Sequence, residues 1–350
     1  MLIDKDFMYE RLDNLWQDPS VSSYPTKNNR YALFSDIHLG DGKGADDFIR
    51  NKNAMVTALE HYYQTGYSII LLGDIEELWQ FDLKDIVQEY NQDIYMRIRV
   101  FGEERLKRVF GNHDREWGGF LDPIYVIPAP QIFAPEAIKL LDGHGNDRFL
   151  LVHGHQGSLD ADKFTWFSRF WARMYAGVEP ILRYTGVTRS PSATKSQITK
   201  DYERTLYAWA KLNKVILICG HSHRAIFASQ SYGERIQGEI NELQVQAQKP
   251  RLKPEQKRMY LSKIDQLQRE LEDEKEKGRL IEPVELEQRP LPCYFNTGCG
   301  LYSDGLTAIE IDDDVIRLVK WNKYQRNITP REVFNEGKIS KFVDDIIQSV

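Results

Sequence analysis

The chain is poor in cysteine, has no long apolar run and carries no surplus of positive charge, and each lack narrows the class of protein. Its three cysteines in 350 residues, Cys219, Cys293 and Cys299, are odd in number and widely spaced, which argues against a disulfide framework or a zinc knuckle. Cys219 lies inside an apolar run and reads as a core residue. No apolar stretch approaches the roughly 20 residues that a membrane-spanning helix needs. Residues 1–30 are polar and charged, without the basic start and apolar core of a secretory signal. The expectation is a cytoplasmic protein, with peripheral membrane association left open. A formal net charge of -6 gives no global sign of nucleic-acid binding. With 41% hydrophobic residues, the chain has enough apolar material for one large α/β domain with insertions, or for two smaller ones.

What is present is a set of polar clusters, each at the end of an apolar run. Asp36-Ile37-His38 follows residues 31–34, Gly73-Asp74 follows 68–72, and Gly111-Asn112-His113-Asp114 follows the shorter 108–110. His153-Gly154-His155 follows 149–152, and Gly220-His221-Ser222-His223 follows 215–219. The apolar runs read as buried strands. Helical periodicity over 48–63 and 85–101 separates the early ones, and a turn-rich link at 142–147 joins two others as a hairpin. This mixture of βαβ units and hairpins predicts mixed sheets.

Two segments interrupt the pattern. Residues 158–213 are aromatic and basic, with Phe164, Trp166, Phe167, Phe170, Trp171 and Tyr175 among Lys163, Arg169 and Arg173. They predict a helical cap whose apolar surface packs in the core or meets an acyl chain, a membrane or a second copy. Residues 231–290 are highly charged with both signs mixed. Ile236, Ile240 and Leu243, then Tyr260, Ile264, Leu267 and Leu271, fall at helical spacing around Pro250 and Pro254. They predict a helical hairpin, a solvated element or a route to oligomerisation. Beyond it, strands over 306–311 and 315–321 flank Asp312-Asp313-Asp314, and a peripheral helix is expected towards Val350.

Aspartate, asparagine and histidine delivered by several strands to one edge make a metal site. Alternation along a strand would turn Asp36 and His38 to one side, and His221 and His223 likewise. Asp74 has two oxygens with which to bridge two ions, Asn112 adds an amide oxygen and His153 an imidazole. That donor mixture suits Mn²⁺, Fe or Zn²⁺ better than Ca²⁺ or a soft metal.

In order and spacing, the five clusters resemble the calcineurin-like metallophosphoesterase signature D-x-H, GD, GNH[DE], H and GHxH. The resemblance implies a fold of two packed mixed β-sheets flanked by helices, a four-layer α/β/β/α sandwich. It implies two divalent ions, manganese first among the candidates. Asp36, His38, Asp74 and His223 would hold one ion, and Asp74, Asn112, His153 and His221 the other. The implied reaction is hydrolysis of a phosphate ester or pyrophosphate by a metal-activated hydroxide. His113, as general acid or phosphate contact, and a carboxylate orienting it, Asp114 or Glu77, are the expected catalytic groups.

Gly73-Asp74-Ile75-Glu76-Glu77-Leu78-Trp79 is similar to the matching motif of UDP-2,3-diacylglucosamine pyrophosphatases, which also carry a helical cap. His113 and His155 stand where that subfamily has Arg and Asp. The resemblance implies a phosphorylated small molecule or lipid-linked nucleotide as substrate. His155, Arg183, Arg189 and Lys195 are its candidate contacts. A phosphodiesterase, a protein phosphatase or a nuclease of the same superfamily are competing readings, as is a non-catalytic metal-binding scaffold that recruits a partner through the hairpin. The Asp-Arg-Gly of protein phosphatases is missing after Asp74, and the only local basic surplus lies in the cap. The glycine-rich 40–44 completes no phosphate-loop pattern and reads as a flexible edge loop. His61 and His144 read as exposed bystanders.

Overall fold

Strands that are apolar on both sides need cover on both sides, and the first two strands of the sheet interior show how it is supplied. The structure, a computed structural model, describes residues 4–118, 134–157, 193–248, 254–276, 290–323 and 329–349. Strand β2 (Arg30–Phe34) sends Tyr31 and Leu33 into one core and Ala32 and Phe34 into another. β3 (Ser68–Leu72) divides in the same way, Ile70 and Leu72 against Ile69 and Leu71. The first core is shared with a second sheet. The other is closed by helix α2 (Lys52–Gln64), through Met55, Ala58, Leu59 and Tyr62, and by α3 (Leu83–Tyr90), through Ile86 and Tyr90. After α3 the backbone passes through a π turn, Asn91–Tyr95, into the short helix Met96–Arg99.

The six-stranded sheet runs in the order β13 (Arg331–Lys338), β12 (Val315–Asn322), β11 (Gly305–Asp312), β2, β3 and β4 (Leu106–Val109). The seven-stranded sheet runs β1 (Ser23–Pro25), β5 (Ala137–Leu141), β6 (Asp147–Val152), β7 (Ile216–Cys219), β10 (Tyr294–Thr297), β8 (Ala225–Phe227) and β9 (Gln230–Ser231). Both are mixed. Helices α1 (Lys5–Gln17) and α4 (Ala193–Asn213) add Met8, Leu12, Leu206 and Trp209 to the same core cluster as Tyr31 and Leu33. The fold is therefore two mixed β-sheets flanked by helices, as the sequence implied.

Two parallel triplets fix where the polar clusters go. β2, β3 and β4 are mutually parallel, with Phe34 paired to Leu71 and Leu72 to Val109, so the chain leaves all three at one edge. β6, β7 and β10 are likewise parallel. Ligands of α/β sheets bind outside the carboxyl ends of such strands.

Helices α5 (Tyr232–Ala247) and α6 (Pro254–Glu276) pack together on a small core of Ile236, Ile240, Ile264 and Leu267, with Leu243 and Leu271 against it and Tyr260 outside it. The C-terminal stretch is not a helix alone. It begins with β13, a polar edge strand whose mostly exposed face hides the strand signal, and only then forms α7 (Ile339–Gln348). α7 packs Ile339, Val343 and Ile346 into the larger core cluster.

Candidate metal centre

The backbone leaves the strands abruptly at this edge. Asp36, His38, Asp74, His221 and His223 have φ of 52°, 53°, 52°, 66° and 58°. For residues other than glycine this left-handed region costs on the order of 1–3 kcal/mol each. β2 and β7 have already ended at Phe34 and Cys219. The convergence of the paired ligands thus comes from left-handed turns and not from the strand alternation we had expected. Backbone hydrogen bonds hold the turns together: Asp36 N–H to Gly73 O at 3.1 Å, His38 N–H to Asp74 O at 3.0 Å, and Gly220 N–H to His153 O at 2.8 Å. Close approach also requires glycine. A Cβ on Gly73, at φ +82°, would lie 2.6 Å from His153 Nδ1, and one on Gly111 would run into the Asp74 carboxylate.

Among the described residues the side chains form three adjoining groups, one of them His38, Glu77 and His113, which shares His38 with the first of the other two. Asp36, His38 and His223 offer ligand atoms within 4.8 Å of one another, and so do Asp74, His153 and His221. In the first group His223 Nε2 is 3.2 Å from Asp36 Oδ1 and 3.3 Å from His38 Nε2. In the second, His153 Nε2 is 3.0 Å from Asp74 Oδ2. That same oxygen lies 3.9 Å from His38 Nε2, so Asp74 faces both groups.

Three buried atoms here make no well-aligned hydrogen bond: Asn112 Oδ1, Asp36 Oδ1, which faces His223 Nε2, and His153 Nε2, which faces Asp74 Oδ2. Buried polar atoms are rarely left so, and three together mark a site for an ion. The opposite atoms of Asp36 and His153 are engaged. Asp36 Oδ2 accepts from Ser35 Oγ and from His221 N–H at 2.8 Å, and His153 Nδ1 donates to Leu72 O at 2.9 Å. Such partners fix the tautomer and aim the remaining atom. The donor set fits divalent cations of the Mn, Fe and Zn type.

The electrostatics of these side chains fit the same conclusion. Burial would raise the Asp36 carboxyl, yet His223 and His153 hold it down at about 2. Burial likewise opposes ionisation of Asp74, and His153, His113 and His38 outweigh it, leaving the carboxyl well below its usual range. Burial would lower His38, but Glu77, Asp74 and Asp36 push it up to about 9. Asp74 and Asp36 similarly overcome burial at His153 and raise it to about 10. Burial and then the charge of His153 press His221 down to about 3. Concentrated negative charge thus calls for cations, and metal ions have to displace protons from His38 and His153.

His113 stands beside this centre with its Nδ1 2.8 Å from Glu77, and His38 Nδ1 shares the same carboxylate at 2.9 Å. The indole of Trp79 stacks on the His113 ring at 3.9 Å and 20°. Of the two carboxylates proposed to orient His113, Glu77 makes the contact. Asp114 does not. Its oxygens accept from Gly111 N–H at 2.6 Å and Ile75 N–H at 2.8 Å, and from Arg108 at 2.8 Å. Arg108 also pairs with Glu76, which takes bonds from Tyr95 Oη and Trp117 Nε1. This buried network braces the Asp74 and Asn112 loops from below, and the sequence reading missed Glu76 and Arg108. The available signal was the Glu76-Glu77 doublet directly after an apolar strand, because acids buried there must be paired.

The remaining candidates are less central. His155 is buried, with Nδ1 unpartnered, and burial followed by the charges of His153 and His221 holds it well below its ordinary value. Arg183 and Arg189 lie outside the described residues, as does the aromatic run from Phe164 to Tyr175. Lys195 is in α4, with its side chain undescribed. His144 is exposed. His61 is not, because its ring packs 5.2 Å from that of Trp321. The 40–44 loop is anchored by Asp46, which accepts from Gly42 N–H at 2.9 Å and Tyr90 Oη at 2.5 Å.

Comparison with known proteins places these features in a family. The model of the calcineurin-like phosphoesterases matches residues 30–225, an interval that contains every cluster from Asp36 to His223. No curated protein matches the sequence. Among solved structures, the chain is similar to a conserved uncharacterized protein, a predicted phosphoesterase, from Streptococcus pneumoniae TIGR4. The two share 10% identity over 87% of this chain and 97% of the other, at a TM-score of 0.30, which is too low to carry an argument.

Proposed function

This chain belongs to the calcineurin-like phosphoesterase family and is a metal-dependent phosphoester hydrolase, and from that premise we propose a two-ion enzyme acting on a phosphorylated small molecule. The observation that carries the two-ion reading is Asp74 Oδ2, 3.0 Å from His153 Nε2 in one group and 3.9 Å from His38 Nε2 in the other. In this reading Asp36, His38, Asp74 and His223 hold one ion, and Asp74, Asn112, His153 and His221 the second. Manganese is the first candidate, with iron and zinc as alternatives. When bound, such ions supply Lewis acidity to phosphoryl oxygens and lower the pKa of a water.

The chain's own residues do the rest. Asp74 holds two jobs, since its Oδ1 also accepts His113 N–H at 2.8 Å and fixes the loop that carries the acid. Glu77 and Trp79 hold the His113 ring by its Nδ1 and its face, which leaves Nε2 to protonate the leaving oxygen or to bind phosphate. General acid catalysis of this kind contributes about 10²–10⁴-fold. Glu77 shares its charge between His113 and His38, and despite burial it is held at about 2 by those two rings, so it stays an anion through the working pH range.

The leading substrate class is a nucleotide-linked pyrophosphate such as a UDP-sugar lipid. Support comes from the resemblance of Glu76-Glu77-Leu78-Trp79, of which Glu77 and the Trp79 indole lie against His113. The test is a Mn²⁺-supplemented screen of aryl phosphomonoesters, aryl phosphodiesters and UDP-sugars with the full chain. Turnover of UDP-sugars above the aryl esters supports the substrate class. Preference for a simple ester removes it and keeps the hydrolase, and no turnover with any divalent metal removes the two-ion enzyme.

A further inference from the structure

Helix α4 is tied to both histidine-bearing loops of the seven-stranded sheet, through neighbouring residues that the mechanism above does not use. Tyr202 and Glu203 are each 2% exposed. The Tyr202 hydroxyl is shared between Gly154 O and, at 3.0 Å, Gln156 O, so it grips the His153 loop on both sides of His155. Its ring stands 5.4 Å from that of His221. The carboxylate of Glu203 pairs with Arg224, the residue after His223, and the two side chains are 3% and 5% exposed. Arg224 N–H in turn approaches Ser222 Oγ at 3.4 Å, and Asn296 Nδ2 reaches Gly220 O at 2.5 Å and Ser222 Oγ at 3.2 Å.

A fully buried ion pair is an expensive way to attach a helix to a sheet, because apolar residues of similar volume do so at no desolvation cost. What a hydroxyl and an ion pair add is direction. The loops they hold are those in most need of it: Gly154 is at φ +110°, and His221 and His223 are at 66° and 58°. Left-handed residues keep such conformations only where their surroundings fix them.

We propose that Tyr202 and the Glu203–Arg224 pair are positioning residues of the metal centre, setting the distance between the His153 loop and the His221–His223 loop. This deepens the two-ion reading and rests on it. The position built from His153 and His221 takes both histidines from loops that α4 holds, whereas the other takes only His223 from them and has Asp36, His38 and Asp74 from the other sheet.

The test is a Mn²⁺ titration of the metal-free full chain by calorimetry, for wild type, Tyr202→Phe and Glu203→Gln, with the thermal midpoint of each metal-free protein measured alongside. Partners in this role typically cost 10–100-fold in metal affinity, so one of the two affinities should fall about tenfold or more in Tyr202→Phe while the other stays nearly constant. Unchanged affinities with a lowered metal-free midpoint would make Tyr202 a plain structural anchor and overturn the proposal. An equal loss at both positions would overturn it too. Should Tyr202→Phe fail to fold, Glu203→Gln, whose partner Arg224 adjoins His223, should weaken at least one affinity about tenfold or more, and unchanged affinities would overturn the proposal. A wild-type titration that ends at one equivalent sinks the two-ion reading instead, and Tyr202 is then judged on that single ion by the same tenfold loss.

Discussion

The metal edge and the helical hairpin are built on opposite terms. The hairpin follows local rules throughout. Ser231 and Glu234 close a reciprocal capping box at the start of α5, and Ile236, Ile240, Ile264 and Leu267 fall where helical periodicity puts them. The metal edge breaks such rules at nearly every functional residue. Five of its residues are left-handed, its carboxylates are buried, and three of its buried polar atoms make no well-aligned hydrogen bond. A protein keeps such violations only where something else repays them. Among the described hairpin residues no buried polar side-chain atom lacks a hydrogen bond, whereas at the edge the missing partner is a cation.

If the comparison is right, substitutions at the edge should change metal binding and rate, and substitutions in the hairpin should change stability. The largest effect belongs to Asp74. Asp74→Asn should lower turnover by about 10³-fold or more, which is about 4 kcal/mol of barrier, together with loss of bound metal measured by elemental analysis. Retained metal with full activity would break the contrast at its strongest point. Next comes His113→Ala, with a loss of about 10²–10⁴-fold in turnover and metal content close to wild type. Metal and activity lost together would make His113 a ligand or a structural residue.

The pH dependence follows from the signs of the shifts. His38 and His153 are raised from 6.5 to about 9 and about 10. Their contribution to the stability of the metal-free protein is fully present below pH 6.5 and lost as pH rises through those values. Asp36 and Glu77 are depressed from 3.8 and 4.5 to about 2, so theirs is present above those ordinary values and lost as pH falls through about 2. The thermal midpoint of the metal-free protein should therefore fall between about pH 6.5 and 10, while Mn²⁺ affinity rises over the same range as protons leave the histidines. Parallel melting and titration series check this, and an affinity that is flat with pH would contradict it. The smallest effect is in the hairpin. Ser231→Ala should cost about 0.5–2 kcal/mol of stability, read by denaturant unfolding, with turnover unchanged.

Much of this was legible in the sequence because it is local. Apolar runs such as Ser68–Leu72 announced strands covered on both faces, and the polar residues after them announced the edge. What the pattern could not carry was conformation and long-range pairing. Left-handed turns at Asp36 and His38 leave no mark in a non-glycine sequence, so strand alternation stood in for them. Asp114 lies beside His113 in the chain and drew attention for that reason, whereas Glu77 reaches His113 only because β3 and β4 are parallel neighbours. Tyr202 and Glu203 meet Gly154 and Arg224 across many intervening residues. β13 stayed hidden because an edge strand with one wet face need not look apolar.

The account stands on two cations flanking one aspartate. Crystals of the full chain grown with Mn²⁺ and measured for anomalous scattering test this directly. Two peaks about 3.5–4 Å apart, one on each side of the Asp74 carboxylate, are the predicted result. A single peak, or peaks away from Asp74, would contradict it.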